Sequence, residues 1–341
     1  MASWARPWPA VTQHLEAEPL NTTKHLLGID GGGSRTRAVL AEMTPDGQVT
    51  VLGRGDAGSG NPLLAGHRQV LANLDSATAQ AFSALPDPSI IVDAAVLALA
   101  GAGAAEESAL IEQWVTANPR LSAYRLIPDW QPVLVAGTPD GHGIGLIAGT
   151  GSVAFGATAD GRTVKRGGWG HWFGDQGSGY DLGRQALTAA AHAADGLAAA
   201  TRLGAAIATH FDGATPDAIS TLLARHDNPR RAIAALAPVV LDAAADGDDV
   251  AVNITENGAR HLAGLVASVA NALALDDGYP LALAGSVVCE NAAYRQRVLD
   301  TLGQSGPVPG TVTRVEEPVM GCITLARHEL LNTNTAWRDH A

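Results

Sequence analysis

Lysine is almost missing from this chain of 341 residues; it occurs only as Lys24 and Lys165. Neither follows a glycine, so the Gly-Lys-Ser/Thr core of a P-loop is excluded, and any use of ATP must rely on another phosphate cradle. Cysteine is as rare, with Cys289 and Cys322 alone. Two thiols so far apart form neither a Cys-x-x-Cys pair nor a disulfide framework, which suits a reducing cytoplasm. Charged residues reach only 16%, against roughly 25% in an average globular chain, while hydrophobic residues make up 46%. That balance excludes disorder for most of the sequence. Acidic residues outnumber basic ones 34 to 22, for a net charge of −12. No basic run offers a phosphate-neutralising face, so no nucleic-acid partner is expected. Residues 1–24 hold Trp4, Trp8 and three prolines but no continuous apolar core, so neither a signal peptide nor a membrane anchor is expected there. The segment reads as a loose arm. None of the eleven histidines stands in His-Glu-x-x-His or at zinc spacing to a cysteine.

The length is about twice the ~150 residues of an average domain, which favours two domains. Leu26–Ile29 reads as a strand entering Asp30-Gly31-Gly32-Gly33-Ser34, and Ala38–Leu40 as the returning strand. Pro45-Asp46-Gly47 marks a turn before a third strand from Val49. Alternation follows: a helix from Pro62 to about Leu85, a buried strand at Ala94–Ala100, a helix over 105–117 and a strand at Tyr124–Ile127. The theme then repeats. Gly143–Ala148 is a strand entering Gly149-Thr150-Gly151-Ser152, with a second strand over Val153–Ala157 and a hairpin turn at Asp160-Gly161. Alanine-rich helices run to about residue 275, before the strand Leu281–Ala284 and a helix from Asn291. Two halves opening alike predict an internally duplicated α/β fold.

The turn Asp30–Thr36 presents glycine N–H groups, with the hydroxyls of Ser34 and Thr36, to an anion. An empty β-turn would look the same. Asp30 tilts the reading toward phosphate without closing the alternative, because a carboxylate beside phosphate needs Mg²⁺ between the two. Gly149-Thr150-Gly151-Ser152-Val153-Ala154 fits the spacing of a dinucleotide fingerprint, yet a strand follows where that motif needs a helix, so NAD is rejected. Gly101-Ala102-Gly103 reads as a turn or a loop lining a cleft. The loop 167–179 gathers glycines with Trp169, His171, Trp172, Phe173 and Asp175. A tryptophan face and a carboxylate suit a polyol, so Trp169 and Asp175 are assigned to a ligand, and Trp172 and Phe173 to the core. Asp129 closes a strand where an α/β sheet places its ligand, although a helix N-cap is the bland alternative.

These turns in this order resemble the sugar-kinase branch of the actin/hexokinase-like ATPases, specifically N-acetylglucosamine kinases of the BadF/BadG/BcrA/BcrD type, over about residues 25–330. Gly28–Ser34 is similar to the family's first phosphate motif and Ile147–Ser152 to its second. Gly167–His171 with Gly174–Gly179 resembles its most diagnostic loop. The resemblance implies a two-domain α/β fold, duplicated and ribonuclease H-like, with an interdomain cleft. One lobe would span 25–130, joined by a closing helix over about 317–332, and the other 131–316.

By resemblance, Asp129 is the catalytic acid-base residue, and Asn61, Ser152, Gly168, Trp169, Gly170 and Asp175 hold the sugar. Gly32, Gly33, Ser34, Thr36, Thr150, Gly151 and Gly285 hold ATP, with Mg²⁺ at Asp30. The implied reaction is phosphorylation of the 6-hydroxyl of an amino sugar, N-acetylglucosamine or alternatively glucosamine, by a cytoplasmic homodimer whose lobes close on a hinge. Val153, where animal relatives carry a sugar-contacting asparagine, and Trp130, where a small residue is usual, depart from the pattern. A rival of the same fold is an iron–sulfur dehydratase activator, for which Cys289 or Cys322 would have to bind the cluster.

Overall fold

The computed structural model describes residues 22–83, 90–138 and 140–331. They fall into two compact units, one formed by residues up to Gly141 with 159–161 and those from Glu317 onward, the other by 142–158 and 162–316.

In the first unit, β1 (Lys24–Gly31), β2 (Thr36–Met43) and β3 (Val49–Ala57) form an antiparallel meander. Helices α1 (Pro62–Ala65) and α2 (His67–Ser83) follow, then β4 (Ala94–Leu99), α3 (Ala105–Thr116), β5 (Tyr124–Ile127) and α4 (Gln131–Gly137). The sheet order is β3-β2-β1-β4-β5, with β4 parallel to both β1 and β5. β4 is buried at every position, as a central parallel strand covered on both faces must be. Side chains alternate along β1: Leu27 and Ile29 pack with Val70, Leu74 and Ile111 of α2 and α3, whereas Leu26 belongs to the opposite face.

The second unit repeats the plan. β6 (Gly143–Ala148), β7 (Ser152–Ala157) and β8 (Thr163–Gly167) form the meander. Six helices come next: α5 (Gly179–Ala194), α6 (Leu203–His210), α7 (Pro216–Arg225), α8 (Pro229–Ala234), α9 (Ala237–Ala245) and α10 (Asp249–Leu273). The unit ends with β9 (Tyr279–Ala284), α11 (Ser286–Glu290), α12 (Ala292–Leu302) and β10 (Pro309–Arg314). The sheet order β10-β9-β6-β7-β8 is that of the first unit read in reverse, with β6, β9 and β10 parallel. The duplication expected from the sequence is therefore present strand for strand. Helix α10 carries the core, with Leu262, Val266 and Val269 wholly buried in one cluster with Ile144, Leu146 and Ala154 of the sheet.

Helix α13 (Val319–Leu331) returns to the first unit, packing on β1, β2, β4 and α4. Because α4 docks on α13, residues 131–141 are grouped with the first unit, whereas the sequence reading began the second lobe at 131. Of the arm expected over 1–24, residues 1–21 lie outside the described residues, and Lys24 already begins β1. The single helix expected from Pro62 to Leu85 is broken at Gly66.

Candidate active site

In the first unit the acids stand at the carboxyl ends of parallel strands, where open α/β sheets bind ligands. Asp30 lies near the end of β1 and Asp129 follows β5. The N-cap of α4 is Trp130, so Asp129 does not take the capping position that was its bland alternative. Asp30 is half-buried; burial first, then the charge of Asp129, push its pKa up to about 7 against the opposing pull of Arg37.

The turn between β1 and β2 closes by the Gly32 N–H donating to the Arg35 carbonyl (2.8 Å). It is braced by the loop before α1, where the Gly60 N–H and the Ser59 hydroxyl both donate to the Gly32 carbonyl (3.0 and 3.3 Å). The Thr36 hydroxyl donates to the Gly58 carbonyl (2.8 Å) and its side chain is wholly buried. Thr36 and the Gly32 N–H, both expected at a phosphate, are thus spent on shaping the turn, and its half-buried tip is Gly33-Ser34. Asn61 Oδ1 accepts the Leu63 N–H (2.9 Å) as the cap of α1, which fixes the amide plane and leaves Nδ2 to donate to a ligand.

In the second unit the Gly149 N–H donates to the Gly151 carbonyl (3.0 Å), and the Gly149 carbonyl accepts the first amide of α5, that of Gly179 (2.8 Å). β7 follows this turn directly, which disposes of the dinucleotide fingerprint. Gly285, after β9, has φ +92°, and a Cβ there would lie 2.5 Å from the Ala148 carbonyl and 2.7 Å from the Gly149 nitrogen. Only glycine allows that approach. The turn expected beside adenosine and the second phosphate turn are therefore packed together within one unit.

The aromatic loop leaves β8 beside the start of β7, with the Gly168 N–H on the Ser152 carbonyl (3.0 Å). Trp169 is 68% exposed, which leaves its ring face available. Trp172 and Phe173 are 84% and 71% exposed, so the expectation that they are core is wrong. Glycines on both sides let this segment bulge outward, and Trp172 lies against the ring of His171 (4.6 Å between centroids).

Two residues expected at the sugar are turned inward. Asp175 is 3% exposed, with its Oδ1 accepting the Ser152 N–H (3.1 Å) and its Oδ2 the Arg230 Nη2–H (2.7 Å). Ser152 is buried, and its hydroxyl donates to the Gln176 carbonyl (2.9 Å). Both hold the second phosphate turn to the loop. Arg230 was missed by sequence reasoning because it enters from α8, 55 residues beyond Asp175, and nothing local to Asn228-Pro229-Arg230 marks it beyond a helix start.

The groups present fit nucleotide and cation. The turns expose peptide backbone, not bulky side chains, and Asp30 with Asp129 are two acids whose repulsion a divalent cation would relieve. Among the described residues no three His, Cys, Asp or Glu side chains gather as a metal cage, so the fit is to an ion such as Mg²⁺ that keeps waters and phosphate oxygens in its shell. The thiols fit a cluster poorly. Cys322 is buried and donates to the Ile29 carbonyl (3.5 Å), Cys289 donates to that of Leu283 (3.3 Å), and burial pushes both thiols up, away from thiolate. Among the described residues no helix is long and apolar enough to cross a membrane.

The chain is 27% identical over 307 residues to an N-acetylmuramic acid/N-acetylglucosamine kinase of Clostridium acetobutylicum, covering 90% of this chain and 99% of the relative. It is 25% identical over 312 residues to an N-acetyl-D-glucosamine kinase of Dictyostelium discoideum, covering 88% and 97%. A Chromobacterium violaceum crystal structure, described as that of a candidate N-acetylglucosamine kinase, superposes with a TM-score of 0.64 at 25% identity, over 89% of this chain and 99% of that one. The fold is also that of ROK-type and hexokinase-type sugar kinases, at 17% identity or less. The model of the BadF/BadG/BcrA/BcrD ATPase family matches residues 27–322, and with the two glycine turns, the acid pair and the duplicated sheet in place, the chain belongs to that family.

Proposed function

We propose that this chain is an ATP-dependent kinase that phosphorylates the 6-hydroxyl of an amino sugar, N-acetyl-D-glucosamine, with D-glucosamine as the alternative acceptor. The observation that carries the reading is the pair of acids at the ends of β1 and β5, coupled so that the charge of Asp129 adds to burial in raising Asp30 to about 7. Such a pair suits a site that handles a cation and a proton together. The names of the relatives support the sugar class.

Phosphoryl transfer asks a protein mainly to align the reactants, spread charge and exclude water. In the first unit Asp129 accepts the proton of the attacking hydroxyl, and Asn61 Nδ2 donates to the sugar. The tip Gly33-Ser34 offers N–H and hydroxyl groups to phosphate. In the second unit Thr150, Gly151 and Gly285 line the nucleotide side, and Trp169, between Gly168 and Gly170, offers its ring to the face of the sugar. Mg²⁺, held through Asp30, would supply positive charge against the phosphate oxygens.

The test is an ADP-release assay on the purified chain with N-acetylglucosamine, glucosamine, N-acetylmuramic acid and glucose, with the esterified carbon located by NMR. Turnover of no amino sugar refutes the reading, preference for glucosamine selects the alternative, and an ester away from carbon 6 corrects the position. A cytoplasmic homodimer belongs to the same proposal, with light scattering to check the assembly.

A further inference from the structure

The second phosphate turn carries a cation that no motif announces. A Cβ built on Gly151 would lie 2.7 Å from Arg230 Nη2 and 2.8 Å from Asp175 Oδ1, so the guanidinium lies directly against the backbone of the turn. It is fixed there by one tight ion pair, Nη2 to Asp175 Oδ2 at 2.7 Å, with the Arg230 side chain 19% exposed. Asp175 is itself committed to the Ser152 N–H and sits at φ +64°, a left-handed conformation that is strained for a non-glycine residue. Three connected groups thus hold one guanidinium in one place. Its Nε–H is nevertheless buried with no acceptor among the described residues. An unpaired buried donor is costly, the more so on a charged group, and calls for an acceptor that arrives later.

We propose that Arg230 is a nucleotide-phosphate ligand of this chain, positioned by Asp175 so that its unpaired N–H edge receives an oxygen of the polyphosphate at the Gly149–Gly151 turn. The inference rests on the kinase reading and deepens it. Asp175 changes role with it, from a contact of the sugar to the anchor of this arginine. With only two lysines among its 22 basic residues, this chain must set arginine rather than lysine against a triphosphate. Of the side chains nearest Gly151, only that of Arg230 is positive.

The experiment is equilibrium binding of adenosine, ADP, ATP and inorganic triphosphate to the full chain, to Arg230→Met and to Arg230→Lys, with a melting curve for each. Charge-assisted hydrogen bonds lead us to expect Arg230→Met to lose about 10–100-fold in affinity for ATP and for triphosphate, less for ADP and under about 2-fold for adenosine. Arg230→Lys should recover part of the loss. An equal loss for adenosine would make Arg230 a structural brace alone, and undiminished triphosphate binding by Arg230→Met would remove it from the site; either overturns the inference. If the wild-type chain binds neither ATP nor triphosphate, it is the kinase reading that falls.

Discussion

Replacing Asp30 by asparagine should make the ligand-free protein more stable while taking away its activity. Charging Asp30 in the folded state is unfavourable because the carboxyl is half-buried and faces Asp129, which together raise it from 3.8 to about 7. At about 1.36 kcal/mol per pKa unit that shift corresponds to about 4 kcal/mol, and water reaching a half-buried group leaves about 1–2 kcal/mol of it. The sign follows from proton uptake. With the folded value above the unfolded one, the native state binds the extra proton, so the wild type loses stability as pH climbs from about 4 through about 7 and levels off above it. An asparagine amide does not titrate, so the Asp30→Asn chain lacks this component of the slope. At pH 8 in EDTA its melting temperature should be higher by about 2–8 °C, taking about 2–4 °C per kcal/mol for a unit of this size. Calorimetry of both chains from pH 5 to 8.5 measures the difference, in which the titrations of groups not coupled to Asp30 cancel. Millimolar Mg²⁺ should raise the wild-type melting temperature and leave that of Asp30→Asn unchanged. A variant that melts lower than wild type at pH 8, or parallel pH slopes for the two chains, would refute the reasoning.

The remaining predictions concern the reaction and its supports. Asp129→Asn should lower kcat by about 10²–10⁴ with a modest change in sugar affinity, the usual worth of a positioned general base; steady-state kinetics at unchanged turnover would remove Asp129 from the mechanism. Gly101→Ala should raise the sugar KM far more than that for ATP, because Gly101 has φ +74° and a Cβ there would collide with Asn61 Oδ1; equal effects on both substrates would take Asn61 away from the sugar. Asp175→Ala should destabilise by about 3–5 kcal/mol, since it strands a largely buried guanidinium, and a melting temperature within a degree of wild type would show the pair to be dispensable. Trp172→Ala, by contrast, should stay within about 0.5 kcal/mol of wild type, as exposed substitutions do.

The parts of the fold that were legible in the sequence are those written locally. The hairpins Leu26–Leu40 and Gly143–Ala157 show as apolar runs joined by glycine turns, and β4 as an uninterrupted apolar stretch, because short-range geometry alone decides them. β10 was not foreseen: its Pro309-Gly310-Thr311 start lacks the apolar alternation of a strand, and pairing with β9 supplies what its own residues do not. At the candidate site, Asp30 and Asp129 are legible because a glycine turn and a strand end flag them, whereas Asn61 is proposed only from the resemblance to the family. Asp175 reads from the sequence as a ligand contact, and its ion pair with Arg230 is not legible there, since that partner comes from a distant helix. Trp172 and Phe173 were misplaced by composition: large apolar side chains are usually buried, and only the backbone path of a glycine-rich loop reveals otherwise.

The closing helix has a consequence for how the polypeptide is made. α13 covers one face of the first sheet, so tightly that a side chain larger than hydrogen at Gly321 would strike the Pro132 carbonyl, and Leu26, Val39 and Val96 have Cys322 and Ile323 as their cover. On the ribosome, residues 24–137 should therefore emerge with one face of their sheet lacking its helical cover, whereas 142–316 hold their own core cluster. The lobe translated first is the last to be finished, and it waits for 319–331 with an apolar face that chaperones would recognise.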